Sequence, residues 1–432
     1  MSSRHIVIAG GGYVGLYTAL GLQRRLGRDE ARVTVVEPRS AMTYQPFLPE
    51  AASGSLEPRH VVVPLRKTLD GCDVITARVT SIDHASRLLR VEPIEGSPYD
   101  LAYDELVVAL GSVARTLPIP GLAEHGMGFK QIEEAISLRN HVLDRLDVAA
   151  SVPDSAVRNK ALTFVFIGGG YAGVEALAEI EDMARFATRY YESISETDLR
   201  FVLVEAANRI LPEVGPELGR YTIDRLTERG IEVRLNTRLV SCVDRHVVLS
   251  DGAEFDADSI IWTAGVKANP VLAASDLPLD DKGRIKTLAT LQVDGVEAAW
   301  AAGDNAAVPD LTGAPGQLCS PSAQHAVRQA KLLAANLVRH LHGEPLHEYK
   351  HKHVGSVASL GLYKGVAQVY GVRLRGYPAW FMHRTYHMSR MPTLNKKVRV
   401  VLDWTLALFF RRDVVSLGSL HRPLDDFRRA AQ

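Results

Sequence analysis

The sequence predicts an α/β fold in which one strand–turn–helix unit is used twice, and three observations predict it. The first is a repeat. Ile6-Val7-Ile8-Ala9 runs into Gly10-Gly11-Gly12-Tyr13-Val14-Gly15 and then Leu16-Tyr17-Thr18-Ala19-Leu20. Phe164-Val165-Phe166-Ile167 runs into Gly168-Gly169-Gly170-Tyr171-Ala172-Gly173 and then Val174-Glu175-Ala176-Leu177. The second is an acid closing the next strand-like run of each half: Arg32 to Val36 leads to Glu37, and Leu199 to Val204 leads to Glu205. The third is a matched pair of apolar runs ending in glycine, Leu106 to Gly111 before Ser112 and Ile260 to Gly265.

Each element has a physical reason. In a buried strand followed by G-x-G-x-x-G, the first glycine (Gly10, Gly168) permits the tight turn and the second (Gly12, Gly170) lets a pyrophosphate approach the backbone. The third (Gly15, Gly173) lets helix and strand pack closely. The helix N-terminus then offers free N–H groups and a partial positive charge to phosphate. One such turn is weak evidence, since any tight strand-to-helix turn resembles it; two in matching context are not a coincidence. Glu37 falls at the usual spacing of about 20 residues from the turn, whereas Glu205 falls later and calls for a longer helix, which Glu181 to Thr197 would supply. A carboxylate at this place bonds ribose hydroxyls and repels a 2′-phosphate, so Glu205 favours NADH over NADPH, with Arg209 nearby pulling the other way. Two Rossmann-like nucleotide sites in one chain are accounted for by a flavin and a nicotinamide that exchange hydride.

Composition bounds the rest. At 432 residues the chain is two or three domains long, and 46% hydrophobic with 23% charged residues is a globular mix. Lys+Arg and Asp+Glu are both 50, so net charge gives no reason to expect a nucleic-acid partner. Cys72, Cys242 and Cys319 form no Cys-x-x-Cys pair, which argues against a disulfide framework, structural zinc or a dithiol centre and suits a reducing compartment. The histidines, among them His340, His342, His347, His351 and His353, show no closed ligand pattern, so no metal site is expected. No apolar run approaches the roughly 20 residues of a spanning helix, and strand-like sequence starting at His5 leaves no room for a signal peptide.

A further strand-like run, Gly295 to Ala302, ends in Gly303-Asp304. It resembles the element that closes the FAD domain of two-dinucleotide flavoproteins, whose Asp bonds the ribityl chain, and this assigns the first cradle to FAD and the second to NADH. Tyr44 to Leu56, Glu205 to Pro212 and Pro321 to Gln329 resemble loops and a helix of the type II, non-proton-pumping NADH:quinone oxidoreductases. The similarity runs from about residue 5 to 420. It implies a glutathione-reductase-type architecture: residues 1–120 and 291–345 as the two parts of the FAD domain, 121–160 as a connection, 161–290 as the NADH domain, and 346–432 as a C-terminal β element with amphipathic membrane-anchoring helices.

The resemblance also implies roles. Gln324 matches the first glutamine of the quinone-site helix, but the glutamine usual four residues later is Arg328 here, with Gln329 following, which leaves the native quinone open. Glu175 stands where the first copy has Tyr17. An acid in the first turns of a helix suits the dipole whatever its function, and the family's corresponding Glu lies near flavin and nicotinamide and is implicated in proton supply to quinone. Gly111, Gly303 and Asp304 join Gly10, Gly12, Gly15 and Glu37 as FAD contacts, while Gly168, Gly170, Gly173 and Glu205 hold NADH.

Leu374 to Leu420 mixes aromatics with bases, and Leu394, Val398, Val401, Leu402, Leu408 and Phe409 fall near one helical face flanked by Lys396, Lys397, Arg399, Arg411 and Arg412. That composition suits a helix lying in an anionic membrane interface. A core-facing stripe and a homodimer contact are the competing uses of such a face. The implied enzyme is peripheral, on the cytoplasmic face of the cell membrane, because its quinone is dissolved in lipid. The rival activities are a soluble NADH-dependent ferredoxin or rubredoxin reductase, a sulfide:quinone reductase, which needs cysteines close to the flavin, and a redox-sensing protein that binds NADH and FAD without fast turnover.

Overall fold

The structure, a computed structural model, describes residues 4–351, 355–410 and 412–416. Of the residues singled out above, His353, Arg411 and residues 417–420 lie outside these. The chain divides into two compact units, one from residues 1–42, 63–113 and 266–353, the other from 43–62, 114–265 and 354–432.

In chain order the strands of the two main sheets are β1 (Arg4–Ala9), β2 (Ala31–Val36), β3 (Asp73–Ile75), β4 (Glu105–Val108), β5 (Gly126–Gly128), β6 (Thr163–Ile167), β7 (Arg200–Val204), β8 (Ile231–Arg234), β9 (Ser259–Trp262) and β10 (Ala299–Ala301). The first unit's sheet has the order β10-β4-β1-β2-β3 and the second's β5-β9-β6-β7-β8, every pairing parallel. Strand order reverses at β1 in one and β6 in the other, so each cradle opens at the carboxyl end of its sheet at a topological switch point, where open α/β sheets bind ligands. Apolar strands buried on both faces explain the pattern: Ile6 to Ala9, Phe164 to Ile167 and Phe201 to Val204 are all core.

The helices that matter for the site are α1 (Tyr13–Gln23), α2 (Leu48–Ala52), α3 (Ile132–Ser151), α4 (Tyr171–Ala187), α5 (Ala323–Leu341), α6 (Tyr377–Arg390) and α7 (Leu394–Phe409). In the first unit α1 packs on α5 closely enough that a methyl on Gly21 would press on Ala334, and Thr18 Oγ1 reaches the Ala330 carbonyl at 3.4 Å. In the second, the Phe164 and Phe201 rings stack at 4.9 Å beneath α4 within one core that also takes in α3 and α2. The C-terminal β element is a three-stranded antiparallel sheet, β11 (Gly355–Ser359), β12 (Gly365–Val369) and β13 (Val372–Arg375).

The helix expected to continue to Thr197 stops at Ala187, and two short 3₁₀ turns carry the chain to β7. The extra spacing before Glu205 is therefore helix and turn together. Among the described residues no helix is long and apolar enough to cross a membrane.

Candidate functional site

The two cradles are near copies in geometry. Gly10 and Gly168 have φ of 110° and 117°, a region costly for any side chain. A methyl on Gly15 would collide with the Gly10 carbonyl oxygen, and one on Gly173 with that of Gly168. At Gly12 and Gly170 a methyl would meet nothing within 4 Å, so open space lies where a phosphate has to come. The acid of each half closes its loop: Glu37 Oε2 accepts the Gly11 amide at 2.8 Å, and Glu205 Oε2 accepts the Gly169 amide at 2.5 Å. Burial raises the Glu37 carboxyl above its ordinary value, against the amides of Gly11 and Arg39, which lower it. A carboxylate has about four acceptor positions, so either acid can hold its loop and still take ribose hydroxyls.

At the rim of the first sheet, the Asn305 side chain accepts the Gly111 amide at 2.8 Å and donates to the Val108 carbonyl at 3.0 Å. Asp304 Oδ2 accepts from Ser112 Oγ at 2.7 Å, so Gly111, Gly303 and Asp304 lie together. Gln329, 1% exposed, accepts the Gly303 amide at 2.8 Å and is thereby committed to the fold. Gln324 sits in the first turn of α5, capped by Ser322, and its carbonyl and side chain receive Arg328 Nη1 at 3.1 and 3.5 Å.

The second unit gathers Glu175 with partners that sequence reasoning missed. Glu175 is 7% exposed; its Oε1 accepts the Ser359 amide at 2.8 Å and lies 3.1 Å from His383 Nε2. One turn on, Glu179 accepts from Ser53 Oγ at 2.9 Å and Ser359 Oγ at 3.4 Å, with Arg412 at 3.5 Å. Burial, the largest influence, raises the Glu179 carboxyl above its ordinary value, and Arg412 opposes it. Glu50 on α2 takes Arg384 Nη2 and Trp404 Nε1, both at 2.9 Å. Burial, helped by the neighbouring His383, pulls the His387 imidazole well below its ordinary value. Only the i, i+4 spacing of Glu175 and Glu179 on one helix gave any signal of this cluster in the sequence.

Two glycine cradles at switch points, each with its acid, define a two-nucleotide oxidoreductase of the flavin and nicotinamide class. The sequence profile of the pyridine nucleotide-disulphide oxidoreductases matches residues 4–330. The chain is 30% identical over 426 residues to the type II NADH:quinone oxidoreductase Ndh of Mycobacterium tuberculosis, covering 95% of this chain and 89% of that one. The type II NADH:quinone oxidoreductase of Staphylococcus aureus is 30% identical over 388 residues, 88% and 93% of the two chains. A solved structure of NDH2 from Plasmodium falciparum in complex with NADH superposes with a TM-score of 0.88, covering 96% of this chain and all of that one at 18% identity. The chain belongs to the pyridine nucleotide-disulphide oxidoreductase family and, within it, to the type II NADH:quinone oxidoreductases.

Proposed function

We propose that this chain oxidises NADH and reduces a membrane quinone through FAD, with FAD on the first cradle and NADH on the second, residues 121–160 linking the nucleotide domains. The observation that carries the reading is the pair of matching glycine loops, each open at its second glycine and closed by its own acid. Bound flavin supplies the electron chemistry, accepting hydride from nicotinamide and passing two electrons to quinone. The chain's part is to bind and orient each nucleotide in its own cradle. The amides at the start of α1 and α4 bind the phosphates, and Glu37 and Glu205 the riboses. Gly111, Gly303 and Asp304 hold the rest of the flavin, with Asp304 orienting the ribityl chain.

Quinol formation takes a proton from solvent beyond the hydride. We assign that proton to Glu175, in support of which the Ser359 amide holds its carboxylate and His383 lies 3.1 Å away, and we assign a quinone oxygen to Gln324 beside Arg328, an amide and a charge. The test is an acceptor profile. Purified protein should be yellow, bleach with NADH and reduce a water-soluble quinone far faster than ferredoxin; bleaching with no quinone turnover would refute the quinone reading and favour the redox-sensing one.

The protein attaches peripherally to the cytoplasmic membrane face through α7. In support, Leu394, Val398, Val401, Leu402, Leu408 and Phe409 are all exposed and only Val400 of that helix is buried. Flotation with lipid vesicles tests this, and sedimentation without lipid shows whether the same face instead joins two copies of the chain.

A further inference from the structure

Within the second unit, α7, α6 and the end of α4 enclose a cavity of about 1000 Å³, the upper end of the range of small-molecule sites. One wall is apolar: Tyr363, Trp380, Trp404, Leu406, Leu408 and Phe410. Leu406, Leu408 and Phe410 are more than half exposed, so this wall continues onto the bare apolar face of α7. The other wall holds Arg139, Arg384 and Arg412. The Arg384 guanidinium is clamped between two indoles, 4.1 Å from the Trp380 ring and 4.9 Å from that of Trp404.

The polar atoms are unevenly matched. Among the described residues, Arg139 Nε, Trp380 Nε1, Arg384 Nε and both Nη of Arg412 are buried without a hydrogen-bond acceptor, although Arg412 is ion-paired with Glu179 at 3.5 Å. Buried donors without acceptors are uncommon, and every orphaned side-chain atom of the cavity lining is a donor. Of the five acids on the wall, Asp182 is engaged by Arg229 and the Leu362 amide, Asp403 by His60 and the Glu57 amide, and Glu57 by Arg59, while Glu196 and Asp413 complete the lining. A group made only of acceptors and carrying negative charge matches such a set, and an acyl chain matches the wall beside it.

We infer that this cavity is a binding site for an acidic phospholipid drawn from the bilayer, its phosphate taken by Trp380, Arg384 and Arg412 and its chain laid along Leu406, Leu408 and Phe410. The site extends the membrane attachment proposed above and rests on that reading for the source of its ligand, not for its chemistry.

The test uses the full-length holoprotein and monomeric dihexanoyl-phosphatidylglycerol, with dihexanoyl-phosphatidylcholine and inorganic phosphate as controls. Thermal unfolding and intrinsic tryptophan fluorescence report binding. The acidic lipid should raise the Tm saturably while neither control does. Trp380→Phe, which keeps the ring and removes the N–H, and Arg412→Gln should each weaken binding about tenfold, the scale of one charge-assisted hydrogen bond. Trp380→Phe keeps the test standing should Arg412→Gln destabilise the fold through Glu179. Equal shifts with the neutral lipid or with phosphate alone, or variants that bind like the parent, overturn the site. Flotation separates the two readings. Leu402→Ser with Phe409→Ser should release the protein from vesicles with and without phosphatidylglycerol yet leave short-chain binding intact. A parent that binds the short-chain lipid but never floats upholds the site and sinks the membrane reading.

Discussion

The two cradle helices begin alike and end as different objects. α1 reads YVGLYTALGLQ and carries no charge, and its buried face packs on α5. α4 carries Glu175, Glu179, Glu181 and Asp182, the first three under 10% exposed. Each of those acids is held: Glu175 by Ser359, Glu179 by Ser53, Glu181 by Arg185 at 2.5 Å and by Arg229, Asp182 by Arg229 at 2.9 Å. A phosphate cradle thus requires only its first helical turn to be conserved in form. The remainder of the helix is free to be an inert scaffold in one unit and the spine of a buried ionic cluster in the other.

The sharpest way to break this comparison is to make the same change in both cradles. A methyl at the third glycine strikes a backbone carbonyl in either copy, so nucleotide binding should fall more than 100-fold, about 3 kcal/mol, at whichever site is altered. Gly15→Ala should give a colourless protein. Gly173→Ala should stay yellow but not bleach with NADH. Two colourless variants would remove the assignment of different cofactors to the two loops.

Next in size is the position where the copies differ. Glu175→Gln keeps the Ser359 contact but cannot carry a proton, and quinone turnover should fall about 100-fold while single-turnover flavin reduction by NADH is unchanged. Tyr17→Phe, the mirror substitution, should leave both rates within about twofold, the range expected of a side chain outside the chemistry. Equal losses in the two half-reactions of Glu175→Gln would make the carboxyl structural.

The second unit also stores a pH dependence. Burial, then the neighbouring Arg145, pulls the His141 imidazole on α3 down to about 4, and its Nε2 lies 2.9 Å from Ser259 Oγ on β9. Folded His141 is therefore neutral where the unfolded ring already takes a proton. Its contribution is complete above pH 6.5, is lost as pH falls from there towards 4, and is flat below, a change of about 3 kcal/mol. Urea unfolding at several pH values should show this slope, and His141→Gln should flatten it. In the first unit burial lowers His5 too, but that ring is more open, so His5→Gln should have the smaller effect.

What was legible in the sequence follows from the same contrast. The glycine loops, the strands feeding them and the closing acids were readable because backbone geometry fixes residue type and spacing at once. Gly10 and Gly168 admit no side chain at their φ, and Gly15 and Gly173 have no room for one. The apolar stripe of α7 was readable from its period. The cluster around Glu175 was not, because Glu50, Ser53, Ser359 and His383 come from α2, the turn after it, β11 and α6, and each alone looks like an ordinary polar residue. Gln329 shows the opposite failure. In the sequence it stands beside the quinone-side position, yet its amide is spent on the Gly303 backbone.

The smallest expected effect tests the most symmetric pair. Glu37 and Glu205 both hold the amide inside their glycine loop, so both should tolerate Gln without collapse of the turn, since an amide oxygen accepts the same bond. The charge is what changes. Without it, Glu205→Gln no longer repels a 2′-phosphate, and the ratio of kcat/KM for NADH over NADPH should fall about tenfold, about 1.4 kcal/mol. Glu37→Gln should leave that ratio alone and loosen flavin retention. Should Glu37→Gln be the variant that admits NADPH, the nicotinamide would sit on the first cradle, and the likeness of the two loops would have hidden an exchange of roles.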